Sequence, residues 1–389
     1  MNIYFGIDVA SEKHNCCIID QNEHVLHEFS FTNDASGFSL LLHYLNHKSI
    51  PRGVKKHIGL EATGVYGENL TAFLRRNEFE VTTFNPLTVK KQLTATTLRK
   101  TKTDKSDAKF LAVMLARGNY EPDAPTLYHI SELKSLSRRR FLLVKKRSGA
   151  KNVAKALITK LFPEYSKLFT DSFGTTSIAI LSKYPSAKDL AACRLSSLVH
   201  LLESSSRGRF GLEKAKSIVE LAKNSVGKYS AADALSLAMT IEEIQFFSSQ
   251  IERVEKEIHL IFKEHPSPIL TIPGIGEVIG AMIVSEIGNI NRFSNPNKLL
   301  AFAGLEPSIY QSGKFTPASG SMVKRGSPYL RWAIMWASRL VPRYSRTFGA
   351  YFEKKVSEGK HFNVAISHVS KKLIRVIFSL EKNASLFSE

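Results

Sequence analysis

Residues 3–9, IYFGIDV, place Ile3, Phe5, Ile7 and Val9 on one face of a strand and Asp8 on the other. CCIID and HVLHEFSF continue as further strands, with QNE between them, which predicts a three-strand meander turning at QNE. Asn33-Asp34-Ala35-Ser36 is a capping sequence and predicts a helix over about 35–47. KHIGLEAT then reads as a strand ending at Glu61, followed by a helix over 67–77 and a strand in FEVTTFN, 79–85. Asn85-Pro86 starts another helix, and Thr103 or Asp104 caps one running to about Arg117. Antiparallel strands followed by alternating helices and strands predict an RNase H-like mixed sheet over residues 1–127, and so an α/β domain.

The texture changes at GNYEPDAP, 118–125, a Pro/Gly-rich stop. Residues 128–265 are helical in pattern. Ala234, Leu235, Met239, Ile241, Ile244, Phe247, Ile251, Val254, Ile258 and Ile261 recur at nearly heptad spacing. That stretch and the basic helix before it predict an antiparallel coiled coil or a plain helical bundle, with a Ser- and Leu-rich insertion at about 166–230. Residues 266–345 form a third, mainly helical region, opened by Pro-Gly-Ile-Gly between apolar helices, and 346–389 end the chain in helices. A turn of this kind, through Gly274 and Gly276, can offer backbone N–H groups to a phosphate, although a tight helix–helix turn needs the same glycines.

Charge adds a partner to this outline. The chain of 389 residues carries a formal charge of +19, with a pI near 9.7, which favours a polyanion. Residues 90–151 hold 16 Lys or Arg against 5 Asp or Glu, a surplus of 11. Three cysteines, Cys16, Cys17 and Cys193, lack any metal-ligand spacing, and Cys16 and Cys17 read as small core residues. The first residues do not resemble a signal peptide, and no apolar stretch is long enough to span a bilayer. A cytoplasmic, nucleoid-associated protein is expected.

Within TLRKTKTDKSDAKFLA, Asp104 and Asp107 are three residues apart and share a helix face with Ala108 and Leu111, while Lys105 and Lys109 point elsewhere. Two inward-looking carboxylates repel unless a cation joins them. Asp8 and Glu61, at the ends of predicted strands, complete a set of four oxygen ligands suited to Mg²⁺ or Mn²⁺ in phosphoryl transfer. Arg99, Lys100, Lys102 and Lys105 around the acids, and Arg138, Arg139, Arg140, Lys145 and Lys146 on the following helix, are candidate nucleic-acid contacts.

GIDVA, LEATGVY, Asn85-Pro86 and KTDKSDA resemble the N-terminal domain of the RuvC-like DEDD transposases of bacterial insertion sequences, insertion-sequence family one-ten. IPGIGEVIGA, AFAGLEP, YQSGK and KRGSPYLR resemble the C-terminal transposase domain of the same family, which also contains a pilin-gene invertase. The resemblance implies that Asp8, Glu61, Asp104 and Asp107 are the DEDD tetrad and that Ser312 is the serine that attacks DNA. Ser319, Ser321 and Ser327 lie nearby, and only the Tyr-Gln-Ser-Gly context selects Ser312. The resemblance further implies donor and target duplex DNA as substrates and a guide (bridge) RNA from the element's non-coding end. It also implies a dimer that assembles to a tetramer, each active site drawing on two subunits. Lys324, Arg325 and Arg331 are suitably basic to hold the scissile phosphate or its neighbours, or equally to form a solvated face. A RuvC-like, metal-dependent, structure-selective nuclease without a covalent intermediate is the main alternative, and a non-catalytic nucleic-acid-binding protein a third.

Overall fold

The computed structural model describes residues 2–47, 50, 53–61, 64–96, 104–118, 120, 122–123, 127–307 and 322–389, without the side chains of Leu87, Thr96, Asp104 and Lys105. Arg99, Lys100, Lys102 and Ser312 therefore lie outside the described residues. The chain divides into two compact units, Met1–Pro125 and Thr126–Glu389.

The first unit is a five-stranded mixed sheet with helices on both faces. Strands β1 (Asn2–Asp8), β2 (Lys13–Ile19) and β3 (Val25–Thr32) form the antiparallel meander, and β4 (Lys55–Glu61) and β5 (Val81–Phe84) extend it in parallel, in the order β3-β2-β1-β4-β5. Helix α1 (Ala35–Leu45) starts where its capping sequence predicts, the Asp34 carboxylate accepting the Gly37 N–H at 2.8 Å. Helices α2 (Glu68–Arg76), α3 (Pro86–Thr96) and α4 (Asp104–Arg117) complete the unit. The two-residue rhythm of the strands sorts the core. Ile3, Phe5, Ile7 and Val9 pack with Leu41, Leu45, Leu70 and Leu74 on one face, as their alternation predicts. Cys17 and Ile19 pack with Ala108 and Ala112 of α4 on the other. Cys16 and Cys17 are both buried core residues, and burial pushes the Cys17 thiol up to about 12.

The second unit is helical: α5 (Tyr128–Leu161), α6 (Thr175–Lys183), α7 (Ala187–Ala192), α8 (Leu195–Ser206), α9 (Leu212–Lys223), α10 (Ala231–Glu264), α11 (Glu277–Ile287), α12 (Pro296–Phe302), α13 (Pro328–Tyr344), α14 (Arg346–Ser357) and α15 (Phe362–Asn383). Helices α5 and α10, each 34 residues long, pack along each other, and α6–α9, between them in the chain, share a core with the end of α5 and the start of α10.

The seam of α10 differs from the expected one. Leu235 and Met239 are exposed (63% and 57%), whereas Ala234, Leu237, Ile241, Ile244, Ile251, Ile258 and Phe262 are buried. Steps of three and four residues through that buried set also pass through Ser248 and Glu255. Both polar residues meet arginines of α5: Arg140 Nε donates to Glu255 at 2.6 Å, and Arg147 Nη1 to Ser248 at 3.2 Å. The seam thus carries two polar layers, which disguise its heptads in the sequence. Among the described residues, no helix is long and apolar enough to cross a membrane.

Candidate active site

Gly6 of β1 lies against α4 so closely that a Cβ there would come within 2.1 Å of the Ala108 carbonyl oxygen and 2.3 Å of the Ala112 nitrogen. This close approach decides where α4 sits. Its last turn is fixed at the opposite end of the strand: Arg117 donates to both carboxylate oxygens of Glu23, at 2.6 and 2.7 Å, in the turn between β2 and β3. Because β2 runs antiparallel to β1, that turn lies near the start of β1, beyond Ile19 and its partner Tyr4. Helix α4 therefore runs opposite to β1, and its first turn, with Asp104 and Asp107, comes to the end of β1 that carries Asp8.

Glu61 arrives at the same edge by register. β1 and β4 are parallel, with Gly6 beside Gly59 and Ile7 beside Leu60, so Asp8 and Glu61 follow as the next residues of neighbouring strands. Both also share the α4 face. Gly59 faces Phe84 and Leu115 on that side, and Glu61 is two residues on. Ala108 and Leu111 are buried beneath α4, Asp107 is half-buried and Lys109 exposed, the orientation expected from the spacing. Four acidic positions thus meet at one edge of the sheet, on one face. Oxygen donors of this kind suit a hard divalent cation such as Mg²⁺. Among the described residues, no three His, Cys, Asp or Glu side chains are grouped closely enough to hold a metal ion, and the Asp104 side chain lies outside them.

The basic candidates divide by environment. Arg139, Lys145 and Lys146 are exposed on α5. Arg138 and Arg140, also expected on a nucleic-acid face, make ion pairs within the helical unit. Arg140 pairs with Glu255 on the coiled-coil seam, and Arg138 donates to both oxygens of Glu286, at 2.6 and 3.0 Å. The Glu286 side chain is 2% exposed and also accepts the Ser327 hydroxyl at 2.8 Å. Ser327 in turn caps α13, its Oγ accepting the Leu330 N–H at 3.1 Å, while its own N–H donates to the Phe302 carbonyl at 2.9 Å. Glu286 therefore ties α5, α11 and α13 together and fixes the base of the KRGS turn. Ser327 is thereby committed to structure.

Above this anchor, Lys324 and Arg325 are exposed, and Arg331 Nη1 donates to the Lys324 carbonyl at 3.2 Å. The Pro-Gly-Ile-Gly turn serves packing at Gly274. With φ at +95°, a Cβ there would lie 3.1 Å from Val341 Cα and 3.2 Å from Tyr344 Cδ2. Gly276 precedes α11, whose first-turn Glu277 carboxylate lies 2.9 Å from His259 Nδ1. A carboxylate thus stands in the first turn of α11, beside the turn whose N–H groups can face a phosphate. Sequence reasoning missed Glu286, because it lies in an apolar run and its partners are 148 and 41 residues away.

An acidic sheet edge in one unit and a basic helical second unit are the features that the comparisons with known proteins bear on. Residues 5–163 match the DEDD transposase family of the IS110 type, and residues 267–353 match the family described as "Transposase IS116/IS110/IS902 family". Together these matches span well over half of the chain, and the chain belongs to the IS116/IS110/IS902 family of transposases, enzymes of the transposase and recombinase class. Among relatives, the "Mini-circle putative transposase for IS117" of Streptomyces coelicolor is 24% identical, over 96% of this chain and 92% of its own length. The pilin gene-inverting protein of Moraxella bovis is 22% identical, over 97% of this chain and 95% of its own. The transposase for insertion sequence element IS1328 of Yersinia enterocolitica is 27% identical, over 37% of this chain and 44% of its own.

Proposed function

We propose that the chain is an RNA-guided DNA recombinase of an insertion sequence, with a RuvC-like sheet, that cuts and rejoins strands through a phosphoserine intermediate. The observation that carries the reading is the meeting of Asp8, Glu61 and the first turn of α4 at one edge and face of the sheet. Asp8, Glu61, Asp104 and Asp107 would hold a Mg²⁺ or Mn²⁺ ion, which supplies neutralisation of charge developing on the phosphate oxygens. Ser312 Oγ attacks phosphorus. An Oγ–P bond forms, the P–O bond to the leaving deoxyribose breaks, the serine proton departs and the leaving oxygen is protonated. Because one phosphoester replaces another, the freed hydroxyl of a second strand can later reverse the exchange with no external energy source. Lys324 and Arg325, on the turn that Glu286 anchors, and Arg331, in the first turn of α13, hold phosphates of the DNA.

The substrates are donor and target duplex DNA, chosen by pairing with a structured RNA from the element's non-coding end, while the protein grips shape and backbone. The working assembly is a dimer of dimers. In cells carrying the element with its non-coding flank, junction-specific amplification is expected to detect recombined DNA with the native chain and none with Glu61→Gln. Junctions at undiminished frequency in that variant would overturn the reading.

A further inference from the structure

The outward face of α13 carries a feature the acidic edge and the serine segment do not use. Its inward residues, Leu330, Ala333, Ile334, Ala337 and Val341, are buried in the core of the helical unit. On the opposite side Trp332, half-buried against the edge of that core, and the exposed Trp336, Arg339 and Arg343 follow at steps of four, three and four, which puts them in one stripe. These are the only two tryptophans of the chain. Their rings are nearly parallel, with centroids 6.2 Å apart and planes at 10°, and Trp336 is 46% exposed.

The aromatic end of the stripe is held from below. Phe141 of α5 meets the Trp332 ring edge-on at 5.0 Å and the Tyr329 ring at 5.3 Å. The Arg138 guanidinium, fixed by Glu286, lies 4.7 Å above the Tyr329 ring. One turn beyond Phe141, Lys145 is exposed, as are Arg339 and Arg343 at the other end, and none of the three has an ion-pair partner among the described residues. A pair of nearly parallel indole planes, with unneutralised cations further along the stripe and on the neighbouring helix, complements one chemistry. Bases outside a duplex offer free π faces for the indoles and phosphates for the cations. Duplex bases are already stacked on each other and have no free face. The surplus positive charge disfavours a basic or apolar protein partner.

We infer that the Trp332–Trp336–Arg339–Arg343 stripe of α13 is a stacking surface for unpaired nucleotides of RNA or DNA. The inference rests on the reading of the chain as a nucleic-acid enzyme and adds the residues that take hold of strands outside a duplex.

Since both tryptophans lie in the stripe, their intrinsic fluorescence in the full chain reports its occupancy. Titration with a short oligothymidylate and a short oligouridylate is expected to quench the emission saturably, and less so as salt is raised. The stronger of the two identifies DNA or RNA as the source, and a hairpin-free duplex of matched length is expected to quench little. Trp336→Ala is expected to weaken single-strand binding about fivefold or more, and Trp336→Phe to keep most of it. Anisotropy of a labelled oligonucleotide follows binding independently. Bound oligonucleotide without quenching, equal quenching by duplex, or unchanged affinity in Trp336→Ala would each overturn the inference. So would emission that changes with protein concentration alone, which marks a contact between copies. None of these results touches covalent attachment to DNA, on which the broader reading stands or falls.

Discussion

Glu61 and Glu286 look alike along the chain, each closing an apolar stretch, HIGL in one case and AMIVS in the other. The fold treats them in opposite ways. Glu286 is buried among helices, with two hydrogen bonds from Arg138 and a third from Ser327. A carboxylate so enclosed is structural, because its oxygens are directed at fixed donors and no substrate can reach them. Glu61 stands half-buried at a strand end beside Asp8, on the face toward which α4 brings Asp104 and Asp107. Like charges brought to one edge repel each other, and a shared cation would relieve that repulsion.

The same isosteric change in the two places sharpens that contrast. Asp8→Asn should lower recombination about a hundredfold or more while moving the thermal midpoint little, measured by junction yield and calorimetry. Glu286→Gln should cost about 3 kcal/mol of stability, seen in denaturant unfolding, since it leaves the Arg138 charge without its partner. If Glu286→Gln were neutral in stability and Asp8→Asn strongly destabilising, the two roles would be reversed.

A smaller change tests the close approach that sets up the acidic edge. Gly6→Ala puts a Cβ into the α4 backbone, and overpacking of this kind costs about 1–3 kcal/mol. It should reduce recombination more than its stability loss explains, because it pushes the first turn of α4 away from Asp8 and Glu61. Wild-type recombination in Gly6→Ala would argue against that geometry.

The smallest expected effect is one of pH. His14 is fully buried beside Phe31 and Phe38, its Nδ1 accepts the Ala10 N–H at 3.2 Å, and burial holds its pKa below the ordinary 6.5. The unfolded chain therefore takes up a proton near pH 6.5 that the folded chain refuses, so the α/β unit loses stability as pH falls below that value. His14→Phe should flatten this dependence in melting curves taken across that range. An unaltered slope would assign the effect to other groups.

How much of this was legible follows from how local each signal is. The alternation in IYFGIDV, the cap at Asp34 and the three-residue step from Asp104 to Asp107 are written within a few residues, and the fold follows them. Gly6 is visible in GIDVA, but its contact with Ala108 and Ala112 joins residues a hundred positions apart. The coiled-coil seam was misassigned at Leu235 and Met239 because Ser248 and Glu255 occupy two of its positions. Local hydropathy cannot tell a polar seam layer from a solvent face. The ion pairs of Arg138 and Arg140 are hidden in the sequence for the same reason: their acids come from α11 and α10, far along the chain. Ser312, recognised by its Tyr-Gln-Ser-Gly context, lies outside the described residues.

The central claim is that the acidic edge and Ser312 act together in covalent strand transfer. Its most direct test incubates the full chain with RNA transcribed from the element's non-coding end, labelled donor duplex and Mg²⁺, then resolves the products on a denaturing gel. Labelled DNA is expected to migrate with the protein, and to be lost in both Ser312→Ala and Asp104→Ala. Cleaved DNA with no adduct, in amounts unchanged by Ser312→Ala, would contradict that claim and leave a metal-dependent nuclease.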